Sequence, residues 1–435
     1  MVTHDPRKVV ETLRNHLASH DTPLCFLFGA GTSSSIRIKS DQGNGKVPLI
    51  PAIGLLTERC KVSVQSLGKG FVVAWNTIES ECKELGYEPN IENILSRIRV
   101  KIEALGANDT SLGLSKKELA KFEVTICEEI IKQTTPEEGK IPEYPPHYFF
   151  ARWIKQITRK RPVEIFTTNY DYLIERSLER ARIPVFDGFV GCHEPFFSSE
   201  CVENENLLPS IDWVRLWKIH GSVNWCEVTY KTEKRIIRTR NRQDQYHMIL
   251  PSNRKYDESR KQPYQSLIDR LGKVLSHNGA ILVTCGFSFG DQHINEIIFN
   301  VLDANPLSHV IALMYESINE NDQIVKAALR PNFMVIARNG GVCQGRWGEW
   351  KLCEPIDTRT YNFMDVLFDS DAVLEKEEQS LTGEMRIGDF NRFCKALAEM
   401  GGEPYSLLPS DDEVLSSNSM VQSKNLAHME NKKVS

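Results

Sequence analysis

Four short stretches hold the residue types that could do chemistry, and each closes an apolar run. In "KIHGS", His220 precedes Gly221. Histidine moves protons near neutral pH, and glycine lets a ligand or another backbone approach closely. The chain has eleven histidines, and a lone one is more often structural. In "TTNYD", Thr167 to Asp171, a run of small polar side chains that includes Thr168 ends "VEIF". Asn169 can donate and accept at once, and Asp171 adds a carboxylate. Asp171 reads equally well as a helix cap. In "GAGTS", Gly29, Ala30 and Gly31 let the backbone approach a pyrophosphate, N–H groups at a helix start favour an anion, and Thr32 and Ser33 add hydroxyls. No Gly-Lys-Ser/Thr follows, so this is not a P-loop, and the third glycine of the dinucleotide fingerprint is missing. In "GFSFGD", Gly286 and Ser288 can contact a ribose or phosphate, while Asp291 either caps the next helix or serves the site.

The elements around these stretches alternate. Strands are expected at "PLCFLF", "PVEIF", "VRLWKI", "AILVTC", "HVIALMY" and "NFMVIA", with helical patterns between them. The alternation predicts an α/β fold, a Rossmann-like parallel sheet with helices on both faces. Such sheets bind ligands at the carboxyl ends of their strands, where all four stretches fall. No clear acidic residue at a second strand end stands ready for an adenosine ribose. A helical insertion is expected at about 52–145; "IENILSRIRVKIEAL" is its clearest helix, with Ile91, Ile94, Leu95, Ile98 and Ile102 at helical spacing.

Bulk properties narrow the class. The 435 residues carry a net charge of −5, with no global pull toward nucleic acid or acidic membranes. The basic run "KTEKRIIRTRNR" at 231–242 reads as a solvated edge hairpin before it reads as a nucleic-acid site. No apolar stretch is long enough to span a membrane, and no secretory signal is visible. Eleven scattered cysteines without a Cys-x-x-Cys pair suggest reduced thiols in a cytoplasm and no zinc knuckle.

The ordered set "GAGTS … TTNYD … KIHGS … GFSFGD" resembles the sirtuin superfamily over about 24–350, interrupted by the helical insertion. The resemblance implies NAD as ligand. The Gly29–Ser33 loop would wrap its pyrophosphate, Asn169 and Asp171 would hold ribose and nicotinamide, His220 would be the catalytic base, and Gly286 with Ser288 would touch the adenosine side, with Thr168 and Asp291 nearby. The Pro-Asp-Phe-Arg segment of the deacylases is missing; "SSIRIKSDQGNGKVPLI" stands in its place. Cys226 has no cysteine neighbour at metal-ligand spacing, so no zinc is expected. These departures resemble the sirtuin-like NAD hydrolases of bacterial antiphage defence. That resemblance implies an NAD glycohydrolase with Asn169 and His220 as its catalytic residues, a homo-oligomer, and a HerA-type ATPase or short Argonaute as partner. A protein deacylase or ADP-ribosyl transferase, a non-catalytic NAD or ADP-ribose sensor, and a nucleic-acid-binding subunit stay open. The expected division is a sirtuin-like domain at 1–355, a helical extension at 356–408 and a mobile polar tail at 409–435.

Overall fold

The computed structural model describes residues 2–39, 45–231, 233–239, 246–248, 262–354, 362–371 and 381–401. The expected tail at 409–435 lies outside the described residues. The principal sheet has ten strands: β1 (Thr3–His4), β2 (Leu24–Phe28), β3 (Val163–Thr167), β4 (Val185–Phe186), β5 (Val214–Lys218), β6 (Ile281–Cys285), β7 (His309–Leu313), β8 (Phe333–Ile336), β9 (Gly340–Cys343) and β10 (Arg346–Trp350). Their spatial order is β1-β10-β9-β8-β7-β6-β2-β3-β5-β4. From β8 to β4 every pairing is parallel; β8-β9 and β9-β10 are antiparallel. The chain is therefore α/β with a mostly parallel central sheet of Rossmann-like type, as its alternating pattern implies.

Both faces of that sheet are buried, which is why its strands read as unbroken apolar runs. Strand residues alternate between two cores. Leu24, Phe26 and Phe28 join one core, with helices Pro6–Ala18, Pro146–Gln156, Leu173–Arg180 and Phe390–Met400. Cys25 and Leu27 face the other, with helices Tyr264–Leu275 and Gln292–Ala304. The insertion folds as helices Ile53–Gln65, Lys69–Glu84, Ile91–Ala104 and Lys116–Thr134 around a core of their own, which includes Trp75, Phe122 and the stripe Ile91, Ile94, Leu95 and Ile98. Ile102 only packs against the margin of that core.

The residues after 355 contribute more than helix. Phe368–Ser370 pairs antiparallel with Gly383–Met385, and Met385, Ile387, Phe390 and Phe393 sit in the same core as β2. A second sheet joins Phe189–Val190, Phe196–Phe197, Gly221–Tyr230, Glu233–Arg238 and Tyr246–Met248. The described part of the basic run belongs to it. Lys234 pairs with Glu227, Arg235 with Glu233, and Arg238 with Asp187, so these cations are engaged within the protein. Among the described residues, no helix is long and apolar enough to cross a membrane.

Candidate functional site

Register brings the four stretches together. Cys285 pairs with Phe28, Phe28 with Thr167, and Thr167 with Lys218, so β6, β2, β3 and β5 end on one rung. The chain order also reverses here. From β2 the sheet grows one way through β3 and β5, then restarts on the other side of β2 with β6 and β7. That switch point is where an open parallel sheet leaves a crevice.

The glycine turn does something other than wait for a phosphate. Gly29 N–H donates to Cys285 O (3.1 Å), Gly31 N–H to Gly286 O (3.0 Å), and Thr32 N–H to Gly29 O (3.0 Å). A Cβ on Gly29 would stand 2.4 Å from Gly286 O, and one on Gly31 2.6 Å from Gly286 Cα. Gly286 itself has φ +65°, and a Cβ there would stand 2.5 Å from Thr32 N. The first and fourth loops thus interlock backbone to backbone, and that packing alone requires glycine at all three positions.

The hydroxyls differ from the sequence expectation. Thr32 and Ser33 are buried and turned inward. Thr32 Oγ donates to Gly29 O (2.9 Å), and Ser33 Oγ to Asp171 Oδ2 (2.7 Å). Their places at the crevice are taken by Ser34 and Ser35. The short helix Ala30–Ser34 and its C-cap Ser35 turn the first two hydroxyls inward and the next two toward the crevice, which composition does not reveal. Ala30 is exposed.

Asn169 is the clamp between loops. Its Nδ2 lies within donating distance of Gly29 O (3.0 Å), Thr32 Oγ (3.0 Å) and Ser33 Oγ (2.9 Å). Two hydrogens serve three acceptors, so at most two of these are made at once. Both carboxylate oxygens of Asp171 have protein partners: Oδ1 accepts Leu173 N–H (3.0 Å) at the start of helix Leu173–Arg180, while Oδ2 receives Ser33. Thr168 is half-buried, and its N–H donates to Phe28 O. Beneath this loop Lys218, 2% exposed, reaches Tyr170 O, Asp171 O and Glu175. Sequence reading missed it because only the fold puts β5 under the second loop.

His220 sits in the turn between β5 and strand Gly221–Tyr230. Ile219 N–H donates to Thr167 O and Val223 N–H to Tyr170 O, so the turn is strapped to the second loop on both sides. Gly221, at φ +86°, makes the reversal. The ring is buried, and its Nε2 meets Asp291 Oδ2 at 3.1 Å. Asp291 also caps helix Gln292–Ala304, accepting from His293 N–H and Ile294 N–H through Oδ1. Asp291 therefore caps the helix through one oxygen and meets His220 through the other.

Beside these groups lies a cavity of about 500 Å³, lined by Gly31, Ser288 and Gly286 among the expected residues. Asn169, Asp171, His220 and Asp291 do not line it; of these, Asn169 reaches the glycine turn through Gly29 O. Arg37, Glu316, Asp389 and Asn391 do line it, and sequence reading had not found them. Glu316 follows β7, which ends at Leu313, and places a carboxylate on the cavity wall. Asp389 and Asn391 come from the chain's later part, held there because Gly388 packs on β7's exit: a Cβ on it would stand 2.0 Å from Met314 O.

No curated protein matches the chain. Residues 163–332, running from the first residue of β3 to the residue before β8, match the SIR2-like domain family, a span that holds Asn169, His220 and Asp291 but begins after the glycine turn.

Proposed function

We propose that this chain is an NAD glycohydrolase, cleaving the nicotinamide–ribose bond to release nicotinamide and ADP-ribose. The observation that carries the reading is the arrival of His220, paired with Asp291, and of Asn169 at one sheet switch point beside a nucleotide-sized cavity. The SIR2-like match over 163–332 supports NAD as the ligand.

The bond to be broken leaves positive charge at C1′, as in glycoside hydrolysis. The adenosine half fits the cavity, with Glu316 and Ser288 within reach of its ribose and phosphate. The pyrophosphate crosses the glycine turn toward Ser34. Asn169 orients the ribose or the attacking water, and Asp171 serves the nicotinamide end. His220 takes a proton from water as oxygen attacks C1′; the bonding pair leaves with nicotinamide. We further propose that the chain acts in antiphage defence as an NAD-depleting effector, in a homo-oligomer controlled by a HerA-type ATPase or a short Argonaute. That part rests on the motif resemblance.

One observation favours a second reading, a non-catalytic NAD or ADP-ribose sensor. The Asn169 amide has three protein acceptors within reach for its two hydrogens, as a loop clamp would. Nicotinamide release from NAD by the purified chain, with and without partner and nucleic acid, separates the two. Release that is lost in His220→Ala supports hydrolysis; nucleotide binding without release under every trigger supports the sensor.

A further inference from the structure

We propose that Asp291 is the positioning residue of His220, fixing which ring nitrogen holds the proton; the inference rests on the hydrolase reading above. A helix cap needs one carboxylate oxygen, and Oδ1 already accepts both His293 N–H (3.1 Å) and Ile294 N–H (3.4 Å). Oδ2 is turned the other way, across 71 residues of sequence, onto His220 Nε2. The side chains of both partners are nearly buried, at 7% and 9% exposed.

The turn that aims Asp291 is itself held out of an ordinary conformation. Phe289 has φ +57°, a left-handed value that a residue with a side chain seldom adopts. Its ring is pinned against Phe287, Phe299 and Phe333, and its carbonyl accepts Asn295 Nδ2 at 2.7 Å. Capping alone does not call for that strain.

The chemistry follows from donor counting. A carboxylate only accepts, so the hydrogen of the pair belongs to Nε2 and the neutral ring keeps its lone pair on Nδ1. A proton taken from water then goes to Nδ1, and the resulting imidazolium is stabilised by Asp291. Among the described residues near this turn, Lys218 is committed to Tyr170 O, Asp171 O and Glu175, and Asp171 to Ser33 and Leu173.

The test is Asp291→Asn in the full chain, with Asp291→Ala beside it. Asparagine caps as well as aspartate does. Its single oxygen is claimed by His293 and Ile294, so its NH₂ faces His220 and needs a lone pair there. The expected result is an unchanged unfolding midpoint, a His220 ring switched to the Nδ1–H tautomer in ¹⁵N-histidine spectra, and nicotinamide release slowed about 10²–10⁴-fold with KM little changed. Asp291→Ala should also lower the midpoint, through the lost cap. A tautomer that is the same in Asp291→Asn as in the wild type overturns the proposal, as does wild-type turnover in Asp291→Asn. The spectra need no NAD. A tautomer switch in a protein that never releases nicotinamide would leave the pairing standing and remove the hydrolase reading instead.

Discussion

His147 offers a perturbation whose size can be worked from the structure. It is 1% exposed at the start of helix Pro146–Gln156, its ring 4.8 Å from that of Phe390, and neither ring nitrogen has a partner among the described residues. Burial alone pushes its pKa from 6.5 down to about 3. The sign follows by linkage. Between these values the unfolded chain binds a proton that the folded chain refuses, so stability is full above about pH 6.5 and falls as pH drops toward 3. The slope is about 1.4 kcal/mol per pH unit, or about 2 kcal/mol between pH 6.5 and 5. His147→Phe removes that linkage while filling the site with a ring of similar shape. It also removes two unsatisfied nitrogens, so at pH 7.5 the variant should be the more stable by about 1–3 kcal/mol. The assay is urea unfolding of both proteins by tryptophan fluorescence from pH 7.5 to 5, reading only the difference between them, because the other titrating groups are common to both. The gap should widen by about 2 kcal/mol as pH falls through this window. Parallel curves, or a less stable variant at pH 7.5, would refute the reasoning. Phe390 lines the cavity, so acid should weaken nucleotide binding in the wild type and spare the variant.

Gly286→Ala places a methyl 2.5 Å from Thr32 N at a left-handed φ, so nucleotide binding measured by calorimetry should be abolished and stability reduced by at least about 1–2 kcal/mol. Glu164, 3% exposed, accepts from Arg215, Arg270 and Trp217; Glu164→Gln leaves two buried guanidiniums short of charge, and denaturant unfolding should show a loss of about 3–5 kcal/mol. Glu316 should repel a 2′-phosphate, so NAD should be favoured over its phosphorylated form by about tenfold or more, and Glu316→Gln should narrow the ratio of their turnover rates.

The parts of the fold that follow from local pattern were legible. Apolar runs such as "CFLF" and "VEIF" became central strands because both sheet faces are covered, and the stripe from Ile91 became a helix because its spacing is helical. The rung on which four strands end was not visible, since register is set by pairing across the sheet. The same holds for each non-local contact that shapes the site. Ser33 and Asp171 are 138 residues apart, and nothing in "GAGTS" says which hydroxyl turns inward. Asp291 looked like a cap or a ligand contact, and its reach to His220 spans 71 residues of sequence, which local pattern does not show. The cavity wall at Asp389 and Asn391 was missed because a weakly patterned segment returns to β7 only through Gly388. The three glycines were read for a ligand's approach, whereas the contact that demands them is between two loops of the protein.

The most direct measurement is the rate of nicotinamide release from NAD by the wild type and by His220→Ala, each with the proposed HerA-type ATPase and nucleic acid supplied as triggers. His220→Ala leaves the Asn169–Ser33–Asp171 clamp in place, so binding should persist while release falls by about 10²–10⁴-fold, with nicotinamide and ADP-ribose formed in equal amounts by the wild type. Equal rates from the two proteins would contradict the account.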